Sequence, residues 1–140
     1  MIRLFLSLVF LVISCSNPIA SEEDCECVFE ITSTLPSING IYQLEWIDGS
    51  IMTYSDLDIL TKCGWAQHIK WESDLKYQMG PDLVNLVNSS SHTDENGDAK
   101  IWFGVWPEFI NETITIYGRY VDDHGHEKTN SIRVKVVDNE

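Results

Sequence analysis

A strict alternation of apolar and polar residues in the last third of the chain constrains its fold more than any other sequence feature. Segments 99–105, 114–120 and 131–136 place an apolar or small residue at every second position. Successive side chains of a β-strand point to opposite faces of the sheet, so a period of two indicates one buried and one solvated face. The positions predicted to be buried include Ile101, Phe103, Ile114, Ile116, Val134 and Val136.

The earlier part of the chain also consists of short segments rich in β-branched and aromatic residues. Further strands are predicted at 28–34, 40–46, 50–54 and 65–71, and the strand pattern is weaker at 75–79 and 83–87 around Gly80-Pro81. Asp48-Gly49 predicts a hairpin turn, and Ser55 as a helix N-cap predicts one short helix or turn over 55–62. About seven strands in one domain, residues 25–140, predict an all-β fold, an antiparallel two-sheet immunoglobulin-like sandwich.

The first fifteen residues have the layout of an export signal. Arg3 supplies a positive charge, and the apolar run 4–13 is too short to span a membrane. The run leads into Val12-Ile13-Ser14-Cys15, which resembles the lipobox of bacterial lipoproteins. The resemblance implies that Cys15 becomes the lipid-acylated first residue and that 16–24 is a polar tether. Ordinary cleavage after Ala20 is the alternative.

The resemblance also implies a location. Ser16 directly after the acylated cysteine resembles a residue that permits sorting to the outer membrane of Gram-negative cells. We therefore expect an outer-membrane lipoprotein of the bacterial cell envelope, attached to the membrane through lipid, or otherwise a secreted protein.

Three further cysteines lie in the expected exported part. An exported chain reaches an oxidising compartment, where disulfides form. A bridge between Cys25 and Cys27 would be strained, so we expect Cys63 to pair with Cys25 or, alternatively, with Cys27. Cys25 is the first choice because it is nearer the tether, where the backbone can adjust.

The charge of the chain restricts its partners. Its formal net charge is −13, which repels the phosphate backbone of a nucleic acid. We therefore expect no nucleic-acid partner and, instead, an unknown protein or glycan at the cell envelope.

The segment His92-Thr93-Asp94-Glu95-Asn96-Gly97-Asp98-Ala99-Lys100-Ile101 carries a family resemblance. It resembles the turn-and-strand signature of invasin-type bacterial immunoglobulin-like domains, in which a Thr-Asp-x-x-Gly-x-Ala run precedes an alternating strand. Segments 113–123 and 130–138 look like the closing strand pair of such a domain, although other bacterial immunoglobulin-like modules have similar strands. The resemblance implies a spacing or adhesion role at the cell surface.

Five tryptophans are many for one small domain. Buried tryptophans fill a core, whereas exposed ones stack on sugar rings or bind a protein partner. Trp102 is the best candidate for exposure, because it lies opposite the apolar face of its strand. Trp106 shares that phase next to Pro107 at the strand end, so both residues are candidate ligand contacts.

Two polar segments contain possible metal ligands. Asp94, Asn96 and Asp98 surround Gly97 with oxygen-bearing side chains that suit calcium, although a plain turn explains the same residues. His124 and His126 form a His-x-His pair that suits a transition metal, with His92 as an available third ligand; a polar turn again explains them. We expect a turn in both cases and no cofactor.

The sequence contains none of the common catalytic motifs, such as Gly-x-Ser-x-Gly, His-Glu-x-x-His or a phosphate-binding loop. We therefore predict a non-catalytic envelope lipoprotein with one immunoglobulin-like module for binding or display, without catalytic residues. The alternative is a secreted carbohydrate-binding or inhibitory module that uses surface tryptophans.

Overall fold

Strands account for nearly all the regular structure in the described part of this chain. The computed structural model describes residues 28–61, 67–122 and 124–139. Its strands are β1 Phe29–Thr32, β2 Ser37–Ile38, β3 Ile41–Glu45, β4 Thr53–Thr61, β5 His68–Ser73, β6 Lys76–Met79, β7 Asp82–Asn85, β8 Ser90–His92, β9 Asp98–Val105, β10 Thr113–Val121 and β11 Glu127–Val137. One short 3₁₀-helix spans Pro107–Phe109. No helix within these ranges is long and apolar enough to cross a membrane.

The strands form two main sheets and one separate hairpin. The first sheet has three strands in the order β1-β4-β9, and the second has six in the order β2-β3-β11-β10-β5-β8. Strands β6 and β7 pair only with each other. Every pairing is antiparallel except that of β3 with β11, which is parallel.

Strand connections between the sheets define the fold. The chain passes from one sheet to the other between β1 and β2, β3 and β4, β4 and β5, β8 and β9, and β9 and β10, whereas β10 and β11 form a hairpin within one sheet. Without the short β2 and β8, the two sheets contain seven strands. This is the architecture of an immunoglobulin-like sandwich, and it confirms the predicted fold class.

The inner faces of both sheets form one hydrophobic core. All six residues predicted to be buried belong to it, and each is at most 3% exposed. Trp71 on β5 also lies in this core, packed against Phe29 with ring centroids 6.3 Å apart. The period-two alternation therefore identified the buried faces of β9, β10 and β11 correctly.

The predicted short helix or turn at 55–62 is wrong, because residues 55–61 belong to β4. Strand β4 is the central strand of the first sheet and pairs with β1 on one side and β9 on the other. Its alternate residues Thr53, Leu57 and Ile59 are buried. Burial and pairing along both edges outweigh the local N-cap pattern at Ser55, whose hydroxyl instead donates to the Asp56 carbonyl.

The predicted hairpin at Asp48-Gly49 is also wrong in its connectivity. A turn does form there, since Gly49 has φ 75° and the Ser50 amide donates to the Ile47 carbonyl at 3.0 Å. However, the strands on either side, β3 and β4, belong to different sheets. The turn therefore carries the chain across the sandwich. The predicted strand at 50–54 begins only at Thr53.

Candidate functional site

The outer face of the three-stranded sheet presents Trp102 to solvent, as the alternation in β9 predicts. Its side chain is 39% exposed, whereas its neighbours Ile101 and Phe103 are buried. Two hydrogen bonds with Asn88 hold the backbone of Trp102 in place. The Asn88 side-chain oxygen accepts from the Trp102 amide at 2.8 Å, and the Trp102 carbonyl accepts from the Asn88 amide at 3.4 Å. The exposed ring is therefore carried by an ordered strand.

Gly104 makes room for the Trp102 ring against the sheet. A Cβ atom added at Gly104 would lie 2.7 Å from Cζ3 of Trp102 and 3.1 Å from Sδ of Met52. Both side chains therefore lie over the bare glycine backbone. Tyr54, which is 67% exposed, stands directly opposite Gly104 on β4. We call Met52, Tyr54 and Trp102 the aromatic platform.

Acidic side chains continue the same face beyond the aromatic platform. Asp56 is the direct cross-strand neighbour of Trp102 and is exposed. The next pair on the same face is Asp58 with Lys100, whose charged atoms are 3.6 Å apart. Since that ion pair is solvated, it contributes little to stability. The face therefore combines an apolar ring surface with a neighbouring carboxylate that can accept hydrogen bonds.

The other described tryptophans, Trp46, Trp71 and Trp106, are less exposed than Trp102. Trp46 and Trp71 are buried in the core. Trp106, the second predicted ligand contact, is half-buried and stacks on Tyr77 of β6, with ring centroids 4.1 Å apart and planes 3° from parallel. One face of the Trp106 ring thus packs the β6–β7 hairpin onto the sandwich.

The predicted oxygen-rich segment at 94–98 forms a tight turn. Oδ1 of Asp94 accepts from the amides of Asn96 at 2.8 Å and Asp98 at 3.0 Å. The pKa of Asp94 is lowered chiefly by the hydrogen bond from the Asp98 amide. Gly97 has φ 86°, a conformation that glycine adopts without strain. The Asp94 carboxylate is therefore engaged in holding its own turn.

The polar segment between β10 and β11 is built in the same way. Oδ1 of Asp122 accepts from the amides of His126 at 2.8 Å and His124 at 3.0 Å. The first of these bonds is the main reason that the pKa of Asp122 is lowered. His124 and His126 are exposed, with ring centroids 6.4 Å apart.

Neither turn gathers a full set of metal ligands. Among residues 28–61, 67–122 and 124–139, no three histidine, cysteine, aspartate or glutamate side chains are grouped so that they could hold a metal ion. His92 is stacked on His68 of the neighbouring strand instead of joining the His-x-His pair.

Sequence reasoning missed several residues of these sites. Met52, Tyr54 and Gly104 join Trp102 only through the register of β4 and β9, and His68 meets His92 only through that of β5 and β8. The pairing register between strands that are distant in sequence cannot be predicted from a local sequence pattern. Cys15, Cys25, Cys27 and Cys63, the predicted lipidation and disulfide positions, lie outside the described residues, as does Trp65.

Comparison with known proteins adds a distant structural likeness. The sequence matches no protein-family model, and it matches none of the curated proteins. Among solved structures, the chain is similar to the ASH / PapD-like domain of human CEP192 (PapD-like domain 7), with 11% sequence identity and a TM-score of 0.42. The alignment covers 97% of this chain and 99% of that domain. A TM-score at this level carries no argument about function.

Proposed function

We propose that this protein is a non-catalytic binding module of the bacterial cell envelope, attached to a membrane by lipid on Cys15, and that it binds its partner through the aromatic platform. The proposal rests on the position of the Trp102 ring over Gly104. This position leaves a large ring 39% exposed on an ordered strand, with Tyr54 and Met52 beside it. Clustered exposed apolar side chains on a soluble domain typically mark an interaction site.

The side chains around the aromatic platform favour a binding role over a catalytic one. The side chains around Trp102 are a thioether, a phenol and the Asp56 carboxylate, on the open outer face of a sheet. Such a face offers stacking and hydrogen bonding to a partner. The proposal extends to the envelope because the leader resembles that of a bacterial lipoprotein.

A glycan is the second candidate partner, and Asp56 favours it. Asp56 and Trp102 face each other as a non-hydrogen-bonded pair of the antiparallel strands β4 and β9. Facing side chains approach most closely at such positions. A sugar stacked by its C–H face on the indole would have hydroxyl groups within reach of this carboxylate.

Binding to isolated cell envelopes of the source bacterium tests the proposal. The chain is used with the Cys15→Ser substitution, so that the anchor does not contribute to binding. We expect Trp102→Ala to weaken binding about thirtyfold or more, because truncation of an aromatic hot-spot residue costs at least about 2 kcal/mol. Tyr117→Ala is the matched control, since Tyr117 is an aromatic residue 48% exposed on the other sheet.

The controls separate loss of contact from loss of fold. Both variants should remain folded at the temperature of the assay, because neither side chain belongs to the hydrophobic core. Equal binding by Trp102→Ala and the parent, or no binding by the parent, would contradict the proposal. Envelopes treated with protease, and others oxidised with periodate, distinguish a protein partner from a glycan.

A further inference from the structure

The edge of the six-stranded sheet carries two histidines side by side. His68 begins β5 and His92 ends β8, and the register places them directly opposite each other. Their rings are stacked, with centroids 4.6 Å apart and planes 15° from parallel. Both side chains are exposed, and β8 is the edge strand of the sheet. The pair is therefore open to a ligand from solvent.

The backbone holds this pair at the closest cross-strand spacing. The Thr93 amide donates to the Gln67 carbonyl at 3.1 Å, which makes that flanking pair a hydrogen-bonded one. Hydrogen-bonded and non-hydrogen-bonded pairs alternate along an antiparallel ladder, so His68 and His92 form a non-hydrogen-bonded pair. At such positions the Cα atoms are about 4.5 Å apart and facing side chains are nearest.

The ring separation suits two imidazoles bound to one metal ion. A metal about 2.1 Å from a ring nitrogen lies about 3.2 Å from the ring centroid, so two ligands at right angles have centroids about 4.5 Å apart. The observed separation is 4.6 Å. Because both rings are exposed, rotation about the Cβ–Cγ bonds can open the stack and direct one nitrogen of each ring to a common point.

The other two histidines of the chain lie at the same end of this sheet and supply a comparison for the pair. Lys70 near the start of β5 pairs with Arg119 near the end of β10, so the turn that follows β10 lies at the same end of the sheet as His68. All four histidines of the chain, His68, His92, His124 and His126, are therefore at one end of this sheet.

We propose that His68 and His92 form a two-imidazole site for a divalent transition metal of the Ni²⁺, Cu²⁺ and Zn²⁺ class. Imidazole is a preferred ligand of these ions. Since no third histidine, cysteine, aspartate or glutamate of the described residues joins the pair, water completes the coordination. The bound metal links the edge strand β8 to β5.

Titration with Ni²⁺ at neutral pH tests the site. The untagged full chain is used in detergent after alkylation of free thiols, so that cysteines do not compete for the metal. We expect one Ni²⁺ to bind per chain by calorimetry. His68→Ala and His92→Ala should each weaken binding about tenfold or more, since losing even a supporting partner of a ligand costs about 10–100-fold.

The His-x-His pair supplies the matched control. His124→Ala and His126→Ala should change the Ni²⁺ affinity by less than about twofold. In NMR spectra, paramagnetic Ni²⁺ should broaden the imidazole signals of His68 and His92 first. The proposal is overturned if the parent chain binds no Ni²⁺, if His68→Ala binds as the parent does, or if His124→Ala weakens binding as much as His68→Ala.

Discussion

At the scale of single residues, two glycines determine where two tryptophan rings lie. Gly104 leaves space for Trp102 on the solvent side of its sheet, and Gly118 leaves space for Trp71 in the core. A Cβ atom at Gly118 would lie 2.7 Å from Cη2 of Trp71 and 2.8 Å from Cζ of Phe29. The same glycine substitution therefore has different consequences on the two sides of the sandwich.

Gly118→Ala should lower the free energy of unfolding by about 1–3 kcal/mol, the usual cost of overpacking a core. Trp71 is 3% exposed and has no room to move aside. Gly104→Ala is the control, because the Trp102 ring can swing into solvent, and it should cost less than about 1 kcal/mol. Urea unfolding of both variants measures the difference, and equal losses would show that Trp71 is not tightly packed against Gly118.

At the scale of elements, the strand connections are held by carboxylates that accept backbone hydrogen bonds. Asp122 holds the turn between β10 and β11, and Asp94 holds the turn before β9. In both cases the turn's own amide groups stabilise the ionised form and lower the pKa of the carboxyl. The stability of these turns therefore depends on pH.

The Asp122 turn should lose stability in acid. Its pKa is lower in the folded than in the unfolded chain, so its contribution is present above the ordinary aspartate pKa of about 3.9 and is lost as the pH falls through the folded-state pKa. Asp122→Asn removes this titration. We expect the variant to be less stable than the parent at neutral pH, and the difference to shrink between about pH 5 and pH 2.

Urea unfolding at a series of pH values checks this prediction. Asp82→Asn, at the exposed start of β7, is the control and should follow the parent curve. If Asp122→Asn and the parent lost stability in parallel over the whole acid range, ionised Asp122 would not be a stabilising group.

At the scale of the whole molecule, the sandwich and the negative charge of the chain are the features that bear on its partners. The sandwich buries one core between two sheets and leaves both outer faces to solvent. A net charge of −13 favours solubility of such a domain and disfavours anionic partners. Membrane attachment in our proposal depends on Cys15 alone.

Cys15→Ser should release the protein from membranes when it is expressed in a bacterial host that processes lipoproteins. Several acyl chains on one residue bury many methylene groups, and the substitution removes all of them. Fractionation into membrane and soluble parts, with mass spectrometry of the parent N-terminus, measures the effect. Retention of the variant on membranes, together with an unmodified parent Cys15, would refute lipidation.

The sequence by itself determined the strands and the buried faces of the last third of the chain. Alternation is a local property, and it correctly predicted Ile101, Phe103 and the other core positions of β9, β10 and β11, as well as the exposure of Trp102. Turn residues such as Gly97 are likewise local, because their backbone conformation depends on neighbouring residues.

Only the tertiary structure decided which side chains meet across strands. The segment with Ser55 as a local N-cap becomes a strand because β1 and β9 pair with it on both sides. Trp102 receives Tyr54 as a neighbour, and His68 receives His92, through strand registers between distant parts of the chain. A shift of one residue in either register would place these side chains on opposite faces, and the burial of both sheets' inner faces fixes the register that brings them together.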